Sequence, residues 1–176
     1  MKRTAYILFA VVALGYLVAY LVPASGRDEE KVAPVFGIKI YPGYRDWSVI
    51  SVAHEEGNLN DLRAVLGNDL AMQAYRDGKT SFPDGTVIAR LSWKYEVSEE
   101  NNKVFGRAQS FVAGPPTDWY LQFMVKDSKK YAATGGWGFA QFDKDGKPGD
   151  EATHKRCFPC HEPIKPRDFV FTRYAP

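Results

Sequence analysis

Apolar and polar positions alternate in short runs along most of this chain, the pattern of strands with one face buried. The longest such run is Thr86 to Tyr95, where Val87, Ala89, Leu91 and Trp93 alternate with Thr86, Ile88, Arg90, Ser92 and Lys94. Pro83-Asp84-Gly85 supplies a turn just ahead of it. Val49 to Ala53 and Leu62 to Leu66 predict two shorter strands upstream, and Trp119 to Lys126 and Trp137 to Phe142 predict two downstream. Val104 to Val112 predicts another, reached through a polar hairpin loop at Glu99-Glu100-Asn101-Asn102 and followed by a turn at Gly114-Pro115-Pro116. Phe169 to Thr172 predicts a last strand near the C-terminus. Only Tyr44 to Trp47, one turn, and Leu70 to Arg76, capped by Asn68 or Asp69, read as helical. Six or seven short strands predict a mainly β fold, an antiparallel sheet or sandwich with a few short helices.

One segment breaks this pattern. Lys2 and Arg3 precede eighteen uncharged, mostly apolar residues from Ala5 to Val22, and Val22-Pro23-Ala24-Ser25-Gly26 suits a signal-peptidase site. The run exceeds the roughly 7–15 residues of a secretory h-region and approaches the roughly 20 that span a bilayer. Two readings stand for residues 1–26: a cleaved signal peptide or a retained N-terminal membrane anchor. Both deliver the remainder to the periplasmic side, because the positive start stays in the cytoplasm. Residues 27–40 then form a linker, and 41–176 one domain of ordinary size. Net charge falls from +2 to zero when Lys2 and Arg3 are set aside, which excludes the concentrated basic face of a nucleic-acid binder. Aromatic residues make up 14%, enough to line a cavity for a large flat ligand as well as to fill a small core.

Both cysteines lie in Cys157-Phe158-Pro159-Cys160-His161. C-x-x-C-H is the attachment sequence of a c-type haem. Cys157 and Cys160 suit two thioether bonds, and His161 suits the proximal iron ligand. Competing readings fit less well. A thioredoxin-like dithiol sits beside a βαβ pattern, which is missing here; a structural zinc wants four ligands; a disulfide rarely bridges cysteines two residues apart. His54, His154, Met72 and Met124 are the candidates for a sixth ligand. His154 is expected on the proximal side or at the surface, His54 in a loop, and the two methionines in the core. The expectation is therefore a five-coordinate iron with an open distal site, which binds NO, CO or peroxide or does oxidative chemistry.

Several stretches resemble the cytochrome P-460 family of exported c-haem proteins, which includes the cytochromes c′-beta. They are Tyr44-Arg45-Asp46-Trp47, Phe82-Pro83-Asp84-Gly85-Thr86-Val87-Ile88, Trp137-Gly138-Phe139, Cys157 to His161, and Asp168-Phe169-Val170-Phe171-Thr172-Arg173-Tyr174. The resemblance implies a mainly antiparallel β fold, one haem c per chain, and a homodimer. It carries Cys157 and Cys160 over as haem attachment and His161 as proximal ligand. Hydroxylamine-oxidising members carry a lysine cross-linked to the haem, and Arg90 aligns with that lysine. A guanidinium stays protonated and is a poor nucleophile, while Lys94 lies about 13 Å further along the same strand face. The expected state is an uncross-linked haem.

Arg90 and Arg63 are candidates for the distal wall, where a fixed charge stabilises a bound anion; their plainer role is pairing with a propionate or a carboxylate. Phe82, Trp93, Trp137 and Phe139 are candidates to pack on the porphyrin, and Gln141 is expected at the surface. Three functions follow: binding or converting a small nitrogen ligand such as NO, oxidising hydroxylamine or NO with electrons passed to other c-type cytochromes, and simple electron carriage.

Overall fold

A computed structural model describes residues 37–176. The leader and most of the expected linker lie outside the described residues. Five strands, β1 (Ser48–Glu55), β2 (Asp61–Gly67), β3 (Val87–Val97), β4 (Phe111–Lys126) and β5 (Trp137–Phe142), form one antiparallel sheet in the order β1-β2-β3-β4-β5. Each strand pairs with the next in sequence, so short connections suffice and no crossover is needed. Four short helices accompany it: α1 (Asp69–Arg76), α2 (Glu99–Phe105), α3 (Glu151–Lys155) and α4 (Cys157–His161). Among the described residues no helix is long and apolar enough to cross a membrane.

Period-two alternation gives each strand two faces, and the sheet uses both. One face carries Leu66, Ala89, Leu91, Leu121, Phe123 and Phe142, with Ile38, Tyr41, Tyr44 and Trp47 packed against it. Tyr41 and Tyr44 meet the Phe123 ring edge-on, at 5.3 and 5.6 Å between centroids. The other face is covered by α1 and the C-terminal segment, where Met72, Phe82, Trp137, Phe169 and Val170 are buried together. α1 follows the expected signals: the Asn68 side chain accepts from the Ala71 N–H, and the helix ends at Asp77.

Several expectations fail: Val104 to Val112 is not one strand, since Val104 and Phe105 end α2 and only Phe111 and Val112 belong to β4, and His54 lies on β1 rather than in a loop. Glu99 to Asn102 is not a loop but the start of α2, capped by the Ser98 hydroxyl and closed by Gly106 in the left-handed region. Gly114-Pro115-Pro116 is no turn, since β4 runs straight through it. Proline has no N–H for a ladder bond and belongs on sheet edges. β5 pairs only with Leu121 to Lys126, so residues 111–120 of β4 have β3 as their sole partner strand, and the β3–β4 register shifts around Trp93. Phe169 to Thr172 forms no strand; its first residue has φ 63°, outside the β region.

Candidate functional site

Cys157, Cys160 and His161 occupy positions i, i+3 and i+4 of α4, so all three present to one side of a single helical turn. Pro159 is tolerated because the first turn of a helix needs no N–H donors. The Asp150 carboxylate caps α3 by accepting from the Thr153 N–H at 2.7 Å, and so sets the approach to the motif. Burial raises the Cys157 thiol above its ordinary range, and the Gln141 Nε2–H contact at 3.5 Å opposes this.

The three motif residues line a cavity of about 680 Å³, within the roughly 300–1,000 Å³ of cofactor and ligand pockets. The rest of its wall is sheet. Ser51, Val65, Arg90, Gln122 and Gln141 lie in register across all five strands, and all line the cavity. Ile88, Met124 and Phe139 form a second, apolar row beside them.

The His161 ring lies between Phe139 and Phe171, at 4.9 and 5.0 Å between centroids. Its Nδ1 is 2.7 Å from the Phe169 carbonyl oxygen. That oxygen can only accept, so Nδ1 carries the proton and Nε2 keeps its lone pair, the form that binds a metal. Burial lowers the His161 pKa and favours the neutral ring, although the carbonyl pulls the other way. The carbonyl belongs to a tight corner: Asp168 and Phe169 both have positive φ, 49° and 63°. A bulky residue there costs of order 1–3 kcal/mol. The Asp168 carboxylate accepts from Lys126 Nζ at 2.7 Å and from the Phe82 N–H at 2.9 Å.

Arg63 and Arg90 both line the cavity, and both donate to one carboxylate, Asp61. Asp61 is 2% exposed and accepts from Arg63 Nε and Nη2 and from Arg90 Nη2, at 2.7 to 3.0 Å. Arg63 also reaches Glu55 at 3.2 Å. Burial and the neighbouring Arg63 charge lower the Arg90 pKa, and Asp61 holds it up. Arg90 Nε is buried with no hydrogen-bond partner among the described residues. Asp61 escaped sequence reasoning because Leu59-Asn60-Asp61 looks like any polar turn.

The remaining candidates separate cleanly. His54 stacks on Tyr95 at 3.9 Å and is not part of the cavity wall. Met72 is buried in the core beneath α1. Met124 does line the cavity. His154 is neither at the surface nor free to ligate: it is 3% exposed, its Nδ1–H donates to the Asp150 carbonyl, and Nε2 accepts from the Gln141 N–H. Gln141 is likewise not a surface residue; it lines the cavity and accepts from Gln122 Nε2 at 2.9 Å. Of the four aromatics, Phe139 reaches the cavity, Phe82 and Trp137 pack in the core behind it, and Trp93 belongs to the opposite face. Lys94 is exposed and off the cavity wall.

A C-x-x-C-H helix facing a cavity over an antiparallel sheet marks a cytochrome of the β type rather than a helical one. The family model for cytochrome P-460 matches residues 41–172, and the chain belongs to that family. The comparison with curated proteins returns no match. The family implies haem c with its iron. The residues present fit that group: a cavity of suitable size, a histidine with Nε2 left to ligate, two cysteines on its wall, and an orphaned guanidinium donor. No cluster of three or more His, Cys, Asp or Glu side chains that would hold a bare metal ion occurs among the described residues.

Proposed function

We propose that this chain is an exported mono-haem c-type cytochrome with an open distal iron site that takes a small nitrogen ligand such as NO. Cys157 and Cys160 hold the haem covalently, and His161 Nε2 ligates the iron. When bound, the haem supplies an iron with a free coordination position and one-electron redox chemistry. The observation that carries the reading is the His161 hydrogen bond to the Phe169 carbonyl, which fixes the metal-binding tautomer at the edge of the cavity.

The protein's own residues do the rest. Phe139 and Phe171 flank the imidazole and limit its rotation. Asp61 and Glu55 balance Arg63 and Arg90, and Arg156 and Arg173 add surplus positive charge at the cavity wall for a haem propionate or a bound anion. Among the described residues lining the cavity none is a lysine, which favours an uncross-linked haem over hydroxylamine oxidation. Arg90, in the place of the cross-linking lysine, does line it. The homodimer, the periplasmic location and exchange with other c-type cytochromes are part of the same proposal and follow from the leader and the family resemblance.

One observation favours the electron-carrier reading: Met124, alone of the four candidate second ligands, reaches the cavity with no engaged polar group. An absorption spectrum of the ferrous protein, with and without CO, decides between the two. A high-spin spectrum that shifts with CO supports the open site. A low-spin spectrum with a sharp α band, indifferent to CO, would make Met124 the sixth ligand. Mass spectrometry of a haem-peptide digest tests the remaining alternative, since a peptide spanning residues 86–94 bonded to haem would put hydroxylamine oxidation first.

A further inference from the structure

We propose that Lys126 is a positioning residue for the iron ligand: through Asp168 it clamps the corner at Asp168 and Phe169, and so aims the Phe169 carbonyl at His161 Nδ1. The inference rests on the reading of His161 as the iron's protein ligand. Phenylalanine rarely adopts φ 63°, and such a conformation persists only where the surroundings over-determine it. Here they do so from several sides. Lys126 Nζ donates to Asp168 at 2.7 Å and to the Gly135 carbonyl at 3.2 Å, and it lies 5.0 Å over the Trp137 ring. The second Asp168 oxygen is fixed by the Phe82 N–H. The Phe169 ring packs directly on Gly135, where an added Cβ would fall 2.2 Å from it. Lys126 is the last residue of β4 and pairs with Trp137 of β5, so the clamp is anchored in the sheet itself.

A buried ion pair is a poor source of net stability, because desolvation cancels most of its attraction. Its worth is the conformation it selects. The conformation selected here ends in a carbonyl at 2.7 Å from Nδ1, and the group that accepts from a ligating histidine's second nitrogen sets its tautomer, orientation and basicity. The chain of cause runs from a β4 lysine, through the tail corner, to the imidazole.

Resonance Raman spectroscopy of the ferrous haem-loaded protein tests this through the iron–histidine stretching band. Lys126→Met and Asp168→Asn should each move that band to lower frequency and broaden it, with haem still covalently attached. The double variant should match the singles rather than sum them, as members of one pair do. Lys126→Arg, which keeps the charge, should hold the band closer to its native position. If Lys126→Met does not fold, Asp168→Asn decides alone, since it preserves shape and the contact with the Phe82 N–H. A band at its native position in folded variants overturns the proposal and leaves His161 as ligand. A native ferrous protein that is high-spin yet shows no such band overturns the ligand reading itself.

Discussion

The two faces of the sheet are built from the same strands yet obey different rules. Toward the N-terminal segment the buried side chains are apolar or aromatic, with Phe123 at the centre and 1% exposed, and Arg45 reaches the Tyr120 hydroxyl. Toward the cavity, one residue further along each strand, stand Arg90, Gln122 and Gln141. Burial alone explains the first face. The second spends polar groups where apolar ones would pack better, and leaves Arg90 Nε without a partner among the described residues. That is what a binding surface looks like when a ligand is meant to complete it.

The comparison can be broken most severely at the motif. Replacing both Cys157 and Cys160 by alanine should abolish covalent haem, read as the absence of haem stain on a denaturing gel, while the apolar face keeps its packing. Phe142→Ala strikes the other face and should cost about 3–5 kcal/mol, as large buried aromatics do. Denaturant melts of the haem-loaded protein would show this loss with an unchanged ferrous spectrum. Asp61→Ala removes the carboxylate shared by two guanidiniums. Fully buried pairs cost about 3–5 kcal/mol to break; partial access of Arg63 and Arg90 reduces this to roughly 2, and here the spectrum should change with stability.

A smaller effect concerns acid. Burial lowers the His154 pKa in the folded state. Its contribution to stability is therefore complete above its ordinary value of about 6.5 and is lost as pH falls from there through the lowered folded value, where the unfolded chain binds the proton first. His154→Phe should flatten that part of the pH–stability curve measured by urea melts. Smallest of all is Met124→Leu, a swap that conserves volume and should cost under about 1.5 kcal/mol. With an open iron it leaves the ferrous spectrum alone, and a switch from low to high spin would contradict the open site.

Much of this was legible in the sequence, and the failures have physical reasons. β2, β3 and β5 are half buried or better and their apolar runs mark them, while β1 is legible although Ile50 is its only buried residue. α2 was missed although Ser98, the acidic first turn and Gly106 all mark it, because a polar helix with only Asn102 buried lacks an apolar stripe. The Pro115-Pro116 pair reads as a stop only if both edges of β4 need partners, and pairing extent is a tertiary fact. Of the site, the C-x-x-C-H motif was visible and its setting was not. Asp61, Gln141 and the Lys126–Asp168 pair become functional candidates through contacts between residues far apart in sequence. His154 was expected on the proximal side or at the surface, but it is buried and backbone groups take up both its nitrogens.

The meander has a bearing on how the chain assembles. Each strand closes onto its sequence neighbour, so most of the sheet costs little loop entropy and forms from local hairpins. The exception is the tail, where the Ala175 N–H donates to the Ile50 carbonyl and ties the C-terminus back to β1 across nearly the whole domain. That closure orders the longest loop in the fold and brings the least ladder in return. All five strands precede Cys157 in the chain, so most of the cavity wall lies N-terminal to the cysteines. The sheet is the mould, and the final twenty residues are the lid that sets around what it receives.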